Sequence, residues 1–159
     1  MAADTRPSHA VDGVLTEERF AGYDLRALIS VLKTATRITV EGDEVLRRAG
    51  MGFRLAEFDI LAFIYASGSI RPSELAKQVS MSGSAPTIHN IVTRLEKRGL
   101  VSRTPHPKVS RGVLVNITDE GREVIDVSFP LIERKVINRF AGHFTAEELL
   151  TIAGLLERH

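Results

Sequence analysis

Residues 71–117 read RPSELAKQVSMSGSAPTIHNIVTRLEKRGLVSRTPHPKVSRGVLVNI. Between Arg71 and Gly112 this stretch carries eight Lys or Arg residues and only two acidic ones. Its net charge is therefore +6, in a chain whose total net charge is +1. Charge segregated in this way indicates one surface built to meet a polyanion, while the rest of the molecule is neutral to acidic.

Two short helices and a turn are predicted in the first part of this stretch. Pro72 suits the first turn of a helix, and the turn at residues 80–84 contains Gly83 and three serines. A second helix is predicted over residues 86–98, with Gly99 placed just past its end. Its apolar stripe has the spacing i, i+3, i+4, i+7 and consists of Ile88, Ile91, Val92 and Leu95.

Two strands are predicted directly after the second helix, over residues 100–104 and 113–117. The loop between them, PHPKVSRG, contains His106, Lys108 and Arg111 and suits a DNA-contacting wing. Helix, turn, helix and basic hairpin in this order predict a winged helix-turn-helix that binds duplex DNA.

Amphipathic helices flank this module on both sides. A long helical pattern covers residues 17–48, an almost wholly apolar helix covers 54–66, and helices follow Thr118 and Thr145. Pro130 is expected to kink the helix that runs from Thr118 toward Phe140. The fold class expected is mainly α with a small β-hairpin wing, carrying N- and C-terminal dimerisation helices.

The predicted domain organisation follows from these elements. Residues 1–16 are expected to form a flexible N-terminal arm, and 17–159 a single domain. Within that domain, 17–50 and 118–159 are expected to dimerise, and 54–117 to form the DNA-binding lobe.

Composition argues against several other classes of protein. The chain has no cysteine, which excludes disulfides and thiolate zinc sites, and its five histidines are scattered, so no metal or other cofactor is expected. Neither a membrane span nor a secretory signal is predicted, and for a protein expected to bind DNA the expected location is the cytoplasm, at the nucleoid. No nucleophile elbow or Gly-rich phosphate loop occurs, so an enzyme is not expected and catalytic residues are none.

The motifs RLEKRGLV and VLVNITDEG, separated by a short basic hairpin, resemble the core of the MarR (multiple antibiotic resistance regulator) family, and the upstream EFDILAFI also fits. The likeness runs from about Phe20 to Arg158. It implies a homodimer whose winged helices sit on a pseudo-palindromic operator in double-stranded DNA. The family wing often carries Asp where this chain has Val109 and a first Arg where it has Ser110, while Arg111 is kept.

The predicted DNA-binding residues lie on the second helix, at its start and in the wing. Asn90, Thr87, Thr93 and His89 are assigned to base edges or nearby phosphates, and Arg111 to the minor groove. The remaining assignments, to phosphates or to the wing, are Ser82, Ser84, Arg94, Arg103, His106 and Lys108. The alternative to DNA contact is that these side chains form a solvated helix face, and that Arg111 forms a salt bridge within the wing.

Members of the resembled family are often released from DNA by small aromatic or phenolic anions. The resemblance implies a pocket between the dimerisation helices and the DNA-binding lobe. Its candidate lining residues are Thr36, Thr39, Arg54, Phe58, Ala62 and Tyr65, with Arg54 receiving a carboxylate.

Two functions from different classes remain open. The first is a dimeric transcriptional regulator, a repressor released from its operator by a small aromatic or anionic ligand. The second is a non-enzymatic interaction or architectural DNA-binding module without operator specificity, which only Val109 in the wing favours.

Overall fold

The computed structural model describes residues 23–79 and 85–158, leaving aside the side chains of Tyr23, Asp24 and Ala85. Its backbone contacts divide the chain into two compact units, residues 1–36 and 37–159. The arm expected at residues 1–16 lies outside the described residues, and so does the expected start of the first helix. Helix α1 (Tyr23–Arg48) is 26 residues long and ends before Gly50.

The remaining elements all belong to the second unit, and their order agrees with the expected fold class. The helices after α1 are α2 (Leu55–Ser67), α3 (Pro72–Gln78), α4 (Ala85–Lys97), α5 (Asp119–Ile132), α6 (Asn138–Ala141) and α7 (Ala146–Leu156). The strands are β1 (Ser69–Ile70), β2 (Val101–Pro105) and β3 (Val113–Ile117).

The sheet has three strands, whereas the sequence predicted only a two-stranded hairpin. Its order is β1-β3-β2, and both pairings are antiparallel. Ser69 lies opposite Asn116, and Ile70 opposite Val115. A two-residue strand is too short to show alternation, so it exists only because the edge of β3 offers partners for its backbone.

The core forms around α2, which contacts α4, α5 and β3. Ile60, Leu61 and Ile64 of this helix are fully buried, as the apolar pattern on all its faces predicts. The predicted stripe of α4 also lies in the core, and its four residues are Ile88, Ile91, Val92 and Leu95. Burial of this stripe turns the opposite face of α4 to the surface.

Local signals in the sequence place several element ends correctly. Thr118 caps α5 by accepting a hydrogen bond from the Gly121 N–H, and Thr145 forms a capping box with Glu148. Gly99 follows α4 with φ 75°, a left-handed conformation that glycine adopts without steric cost. The turn from α4 into the wing is therefore set by local chemistry.

The helix expected to run from Thr118 to Phe140 is interrupted. Pro130 lies inside α5, and a π-helical turn (Glu133–Ile137) follows α5 before α6 begins. In this turn the Asn138 N–H donates to the Glu133 carbonyl, five residues earlier. Proline removes a backbone donor from the helix, and a π turn is one way in which the chain accommodates that loss.

Candidate nucleic-acid interface

The outer face of α4 presents polar side chains at the surface. Thr87, His89 and Asn90 are exposed, while the apolar stripe of the same helix is buried. Amide, imidazole and hydroxyl groups are the donors and acceptors that read base edges. These three predicted DNA-binding residues therefore share one exposed surface, whereas Ser82 and Ser84 lie outside the described residues.

Thr93 and Arg103 are joined to each other across the helix–strand junction. The Arg103 guanidinium donates to the Thr93 Oγ1 at 3.0 Å and forms an ion pair with Glu96. Thr93 in turn donates to the His89 carbonyl at 2.9 Å. These bonds tie β2 to α4, so Arg103 braces the wing strand against the helix, a role that the sequence did not predict.

Arg94 is held by a carboxylate from another helix. Its Nε donates to the Glu57 Oε1 at 3.0 Å, and the Arg94 side chain stays 56% exposed. Glu57 is 9% exposed and also accepts from the Arg54 N–H at 3.0 Å. Glu57 is therefore an ion-paired acid within the otherwise apolar α2.

Asp59 itself is half-buried, and burial raises the pKa of its carboxyl group. Within the described part of the chain its carboxylate makes no ion pair. The sequence alone does not reveal the ion pair of Glu57, because Glu57 and Arg94 are 37 residues apart. The sequence indicates only that a carboxylate within an otherwise apolar helix needs a partner.

Arg98 anchors the end of α4 to the loop that precedes α2. Its guanidinium donates to the carbonyl oxygens of Met51 and Gly52, at 2.8 and 2.9 Å. It also lies over the Phe53 ring, 5.1 Å from the centroid. Arg98, which is not among the predicted DNA-binding residues, therefore has a specific packing role.

The wing is closed by backbone hydrogen bonds and one histidine. His106 and Gly112 are joined by an N–H to carbonyl bond of 2.9 Å, and the His106 Nδ1 accepts from the Lys108 N–H at 3.1 Å. Arg111 is exposed and has φ 62°, in the left-handed region that side chains other than glycine rarely adopt. The turn thus holds Arg111 at the surface, although position 109 carries valine instead of the aspartate common in the resembled family.

The charge of this surface is partly neutralised by internal pairs. Arg71 pairs with Glu74, whose pKa it lowers by donating a hydrogen bond, and the pairs of Arg94 and Arg103 were described above. Between Arg71 and Gly112, five exposed basic residues form no ion pair within the described ranges, and these are Lys77, Lys97, Arg98, Lys108 and Arg111. Of these, Arg98 donates instead to backbone carbonyl oxygens. The net positive charge therefore remains concentrated on α3, α4 and the wing.

The six predicted ligand-pocket residues have different surroundings. Phe58 is buried in the core and stacks on Phe129 at 6.5 Å, and the Tyr65 hydroxyl donates to Asp126 at 3.1 Å. The Thr36 hydroxyl donates to the Leu32 carbonyl of its own helix. Thr39 and Ala62 are half-buried.

Arg54 lines a cleft of about 790 Å³ at the start of α2. Val40, Glu44 and Phe53 contribute to the same lining, whereas Phe58, Ala62 and Tyr65 do not. Hydrogen bonds from Arg47 and Arg48 lower the pKa of Glu44 to about 2. Arg54 is exposed and, within the described residues, has no ion pair, so it can receive an anion.

A smaller cleft of about 220 Å³ lies against α4, and its lining includes Pro72, His89 and Arg103. Among the described residues, no group of three His, Asp or Glu side chains is placed to hold a metal ion. No helix in the described ranges combines the length and apolar character that a membrane crossing requires.

Sequence comparison identifies relatives with this architecture. Residues 53–113 match the model of the MarR family. The chain is 32% identical to the multiple antibiotic resistance protein MarR of Escherichia coli over 103 residues, which cover 65% of this chain and 70% of that protein. It is 33% identical to the HTH-type transcriptional regulator YdgJ of Bacillus subtilis over 107 residues, 67% of this chain but only 63% of YdgJ.

Solved structures show the same fold. Sco3205, a MarR family transcriptional regulator from Streptomyces coelicolor solved in complex with DNA, superposes with a TM-score of 0.74 at 25% identity, covering 91% of this chain and 90% of that one. A mutant E. coli MarR complexed with operator DNA gives a TM-score of 0.72 at 25% identity, covering 90% and 98%. The order of elements, the exposed polar face of α4, the basic wing and these likenesses agree, and the chain belongs to the MarR family of transcriptional regulators.

Proposed function

We propose that this chain binds a pseudo-palindromic operator as a homodimer and represses transcription from it. The observation that carries the proposal is the exposed polar face of α4 beside a basic wing that presents Arg111. Structural relatives with this architecture were solved on DNA, one of them on operator DNA. In the proposed complex α4 lies in the major groove and the wing follows the adjacent minor groove.

The assignment of contacts follows from exposure. Asn90, His89 and Thr87 are proposed to reach base edges or nearby phosphates, because they share the exposed face of α4. Lys108 of the wing is proposed to contact phosphates, and Arg111 to enter the minor groove. Asn is suited to bidentate contact with adenine, so Asn90 is the strongest candidate for sequence discrimination.

Dimerisation is supported by apolar side chains that the chain leaves at its surface. On α1 Leu28 and Leu32 are more than half exposed, and on α7 Leu150 is 76% exposed. Large apolar side chains left exposed along one face of a helix often mark interfaces between protein chains. Two copies would bury these faces and set two α4 helices at the spacing of successive major grooves.

The alternative is an interaction or architectural module that binds DNA without operator specificity. Val109 in the wing favours it, because a valine at that position cannot brace the turn as an acid would. The hydrogen bond from the Lys108 N–H to His106 argues for the first proposal, since it closes the turn by other means.

Selection from a pool of random duplexes with the purified full chain tests the proposal. We expect a pseudo-palindromic sequence to be enriched and bound by two chains in analytical ultracentrifugation. Binding should survive excess mixed-sequence competitor with a Kd of about 10⁻⁸ M or lower. Enrichment of no sequence, together with a steep loss of binding as salt rises, would instead establish the non-specific module.

Asn90→Ala is expected to relax sequence preference more than it weakens overall binding. Loss of a bidentate amide contact should cost about 1 to 3 kcal/mol on the selected site and almost nothing on mixed-sequence DNA. Fluorescence anisotropy on both duplexes measures the difference. Lys97→Ala is the matched control on the same helix, and it should weaken binding to both duplexes alike. An equal effect of Asn90→Ala on the two duplexes would remove Asn90 from base recognition.

We also propose that a small aromatic anion releases the dimer from DNA by binding where Arg54 lines the cleft at the start of α2. The cleft of about 790 Å³ is large enough for such a ligand, and Arg54 supplies a planar cation for a carboxylate. Release requires that the ligand bind the DNA-free conformation more tightly than the DNA-bound one.

Arg54→Gln is expected to raise the concentration of benzoate that releases the selected duplex by about tenfold, since a charge-assisted bidentate contact is lost. Arg48→Gln, which removes a nearby cation that does not line the cleft, is the control. Release by benzoate that is unchanged in Arg54→Gln would place the ligand elsewhere, with the cleft lined by His89 and Arg103 as the next site to examine.

A further inference from the structure

The contact between Glu57 and Arg94 joins the second helix to the helix that carries the candidate base contacts. We infer that Glu57 is a positioning residue for DNA binding: it holds the Arg94 guanidinium where it meets a phosphate. This inference rests on the proposed DNA-binding function and adds a residue that makes no DNA contact itself.

The geometry divides the two side chains into distinct roles. Glu57 is 9% exposed, whereas the Arg94 side chain is 56% exposed. The Glu57 carboxylate uses both oxygens, Oε1 to accept from the Arg94 Nε and Oε2 to accept from the Arg54 N–H, each at 3.0 Å. The buried Glu57 carboxylate therefore fixes the Nε side of the exposed Arg94 guanidinium.

The second bond of Glu57 restricts where its carboxylate can lie. Arg54 is the N-cap residue of α2 and Glu57 lies in the first turn, where a carboxylate is favourably placed. Six residues of α2 are buried, so the backbone that carries both groups is held in the core. A side chain bound at two oxygens loses rotamer freedom when the protein folds, not when DNA arrives. The position of Arg94 is thus prepared before DNA binding.

Arginine is suited to this arrangement because its donors form a rigid planar fork. When Nε is bound to a carboxylate, the two terminal NH₂ groups still offer donors, and a phosphate can accept from them. The ammonium group of a lysine lacks this planar arrangement, in which one side binds a carboxylate and the other binds a phosphate. Arg98, about one turn further on, donates to the Met51 and Gly52 carbonyl oxygens and so ties the end of α4 to the loop before α2.

General electrostatics and positioning predict effects of opposite sign. Removing any carboxylate near DNA makes the protein more positive and should tighten binding. Replacing the Glu57 carboxylate with an amide leaves one acceptor oxygen for two donors. This should loosen Arg94 and weaken binding, although the net charge rises by the same amount. This opposition allows the two explanations to be separated by measurement.

The test compares E57Q, R94Q and the double variant with the full wild-type chain on a mixed-sequence 40-base-pair duplex. Phosphate contact does not depend on base sequence, so the test does not require the operator. We expect E57Q to weaken binding by about three- to tenfold, and to have no weakening effect in the R94Q background. R94Q should also reduce the salt slope of the binding constant by about 1 for each chain bound.

D59N is the matched control, because it removes a carboxylate from the same helix that, among the described residues, makes no hydrogen bond or ion pair with α4. It should leave affinity unchanged or tighten it. R94K provides a second variant that keeps the charge, and it should weaken binding as E57Q does even if E57Q folds poorly. Thermal unfolding of each variant identifies any loss of affinity that comes from loss of the fold.

The outcomes separate this inference from the proposed function. A wild-type chain that binds no duplex overturns both. Wild-type binding with E57Q at or above wild-type affinity, or E57Q weakening binding equally with and without Arg94, overturns the positioning role alone.

Discussion

Gly121→Ala is expected to lower the free energy of unfolding by about 3 kcal/mol, because the added methyl group has nowhere to go. A Cβ at Gly121 would lie 2.1 Å from the Leu100 carbonyl oxygen and 2.7 Å from the Ile117 Cδ1. The Leu100 carbonyl also accepts from the Thr118 N–H at 3.2 Å. The clash therefore pushes the start of α5 away from the wing strands that it supports.

Thermal unfolding measures this effect, and the midpoint should fall by roughly 6 to 12 °C for a chain of this size. Gly154→Ala is the matched control, since it adds the same methyl group in α7, where no other described part of the same chain, beyond the helix's own backbone and the chain neighbours, lies within 4 Å of the new Cβ. That control should leave the midpoint unchanged or raise it, because alanine favours helix over glycine by up to about 1 kcal/mol. A Gly121→Ala midpoint equal to wild type would show that α5 does not approach Leu100 as closely as described.

Arg111→Gly is expected to weaken DNA binding by about tenfold or more for each wing, without destabilising the fold. Arg111 has φ 62°, a conformation that costs a side chain other than glycine about 1 kcal/mol. Replacing Arg111 with glycine removes the conformational cost of the positive φ and, at the same time, the guanidinium that would contact DNA. Stability and DNA affinity should therefore change in opposite directions.

Anisotropy on the selected duplex and thermal unfolding of the free protein together check this prediction. Arg111→Lys keeps both the charge and the backbone cost, and it should retain most of the non-specific affinity while losing part of the minor-groove preference. If Arg111→Gly binds the selected duplex as tightly as wild type, the wing does not insert Arg111 into the groove. The proposed contacts would then be confined to α4.

The helices and their caps could be predicted from the sequence, because each depends on residues close together in the chain. The stripe of α4 has period 3.6, and Thr118 and Gly99 act on backbone groups within a few residues. The candidate base contacts on α4 follow from the same periodicity, since burying one face exposes the other. Their roles on DNA stay predictions.

What the sequence by itself determined is therefore the order of the main helices and of the wing hairpin, the exposed face of α4 and the concentration of positive charge around it. Only the tertiary structure decided which of those charged side chains form ion pairs or hydrogen bonds within the protein. Glu57 meets Arg94 across 37 residues, and Arg98 meets Met51 across 47. No local pattern encodes such pairs, because they form only when the buried faces of α2 and α4 pack together and fix the distance between their polar edges.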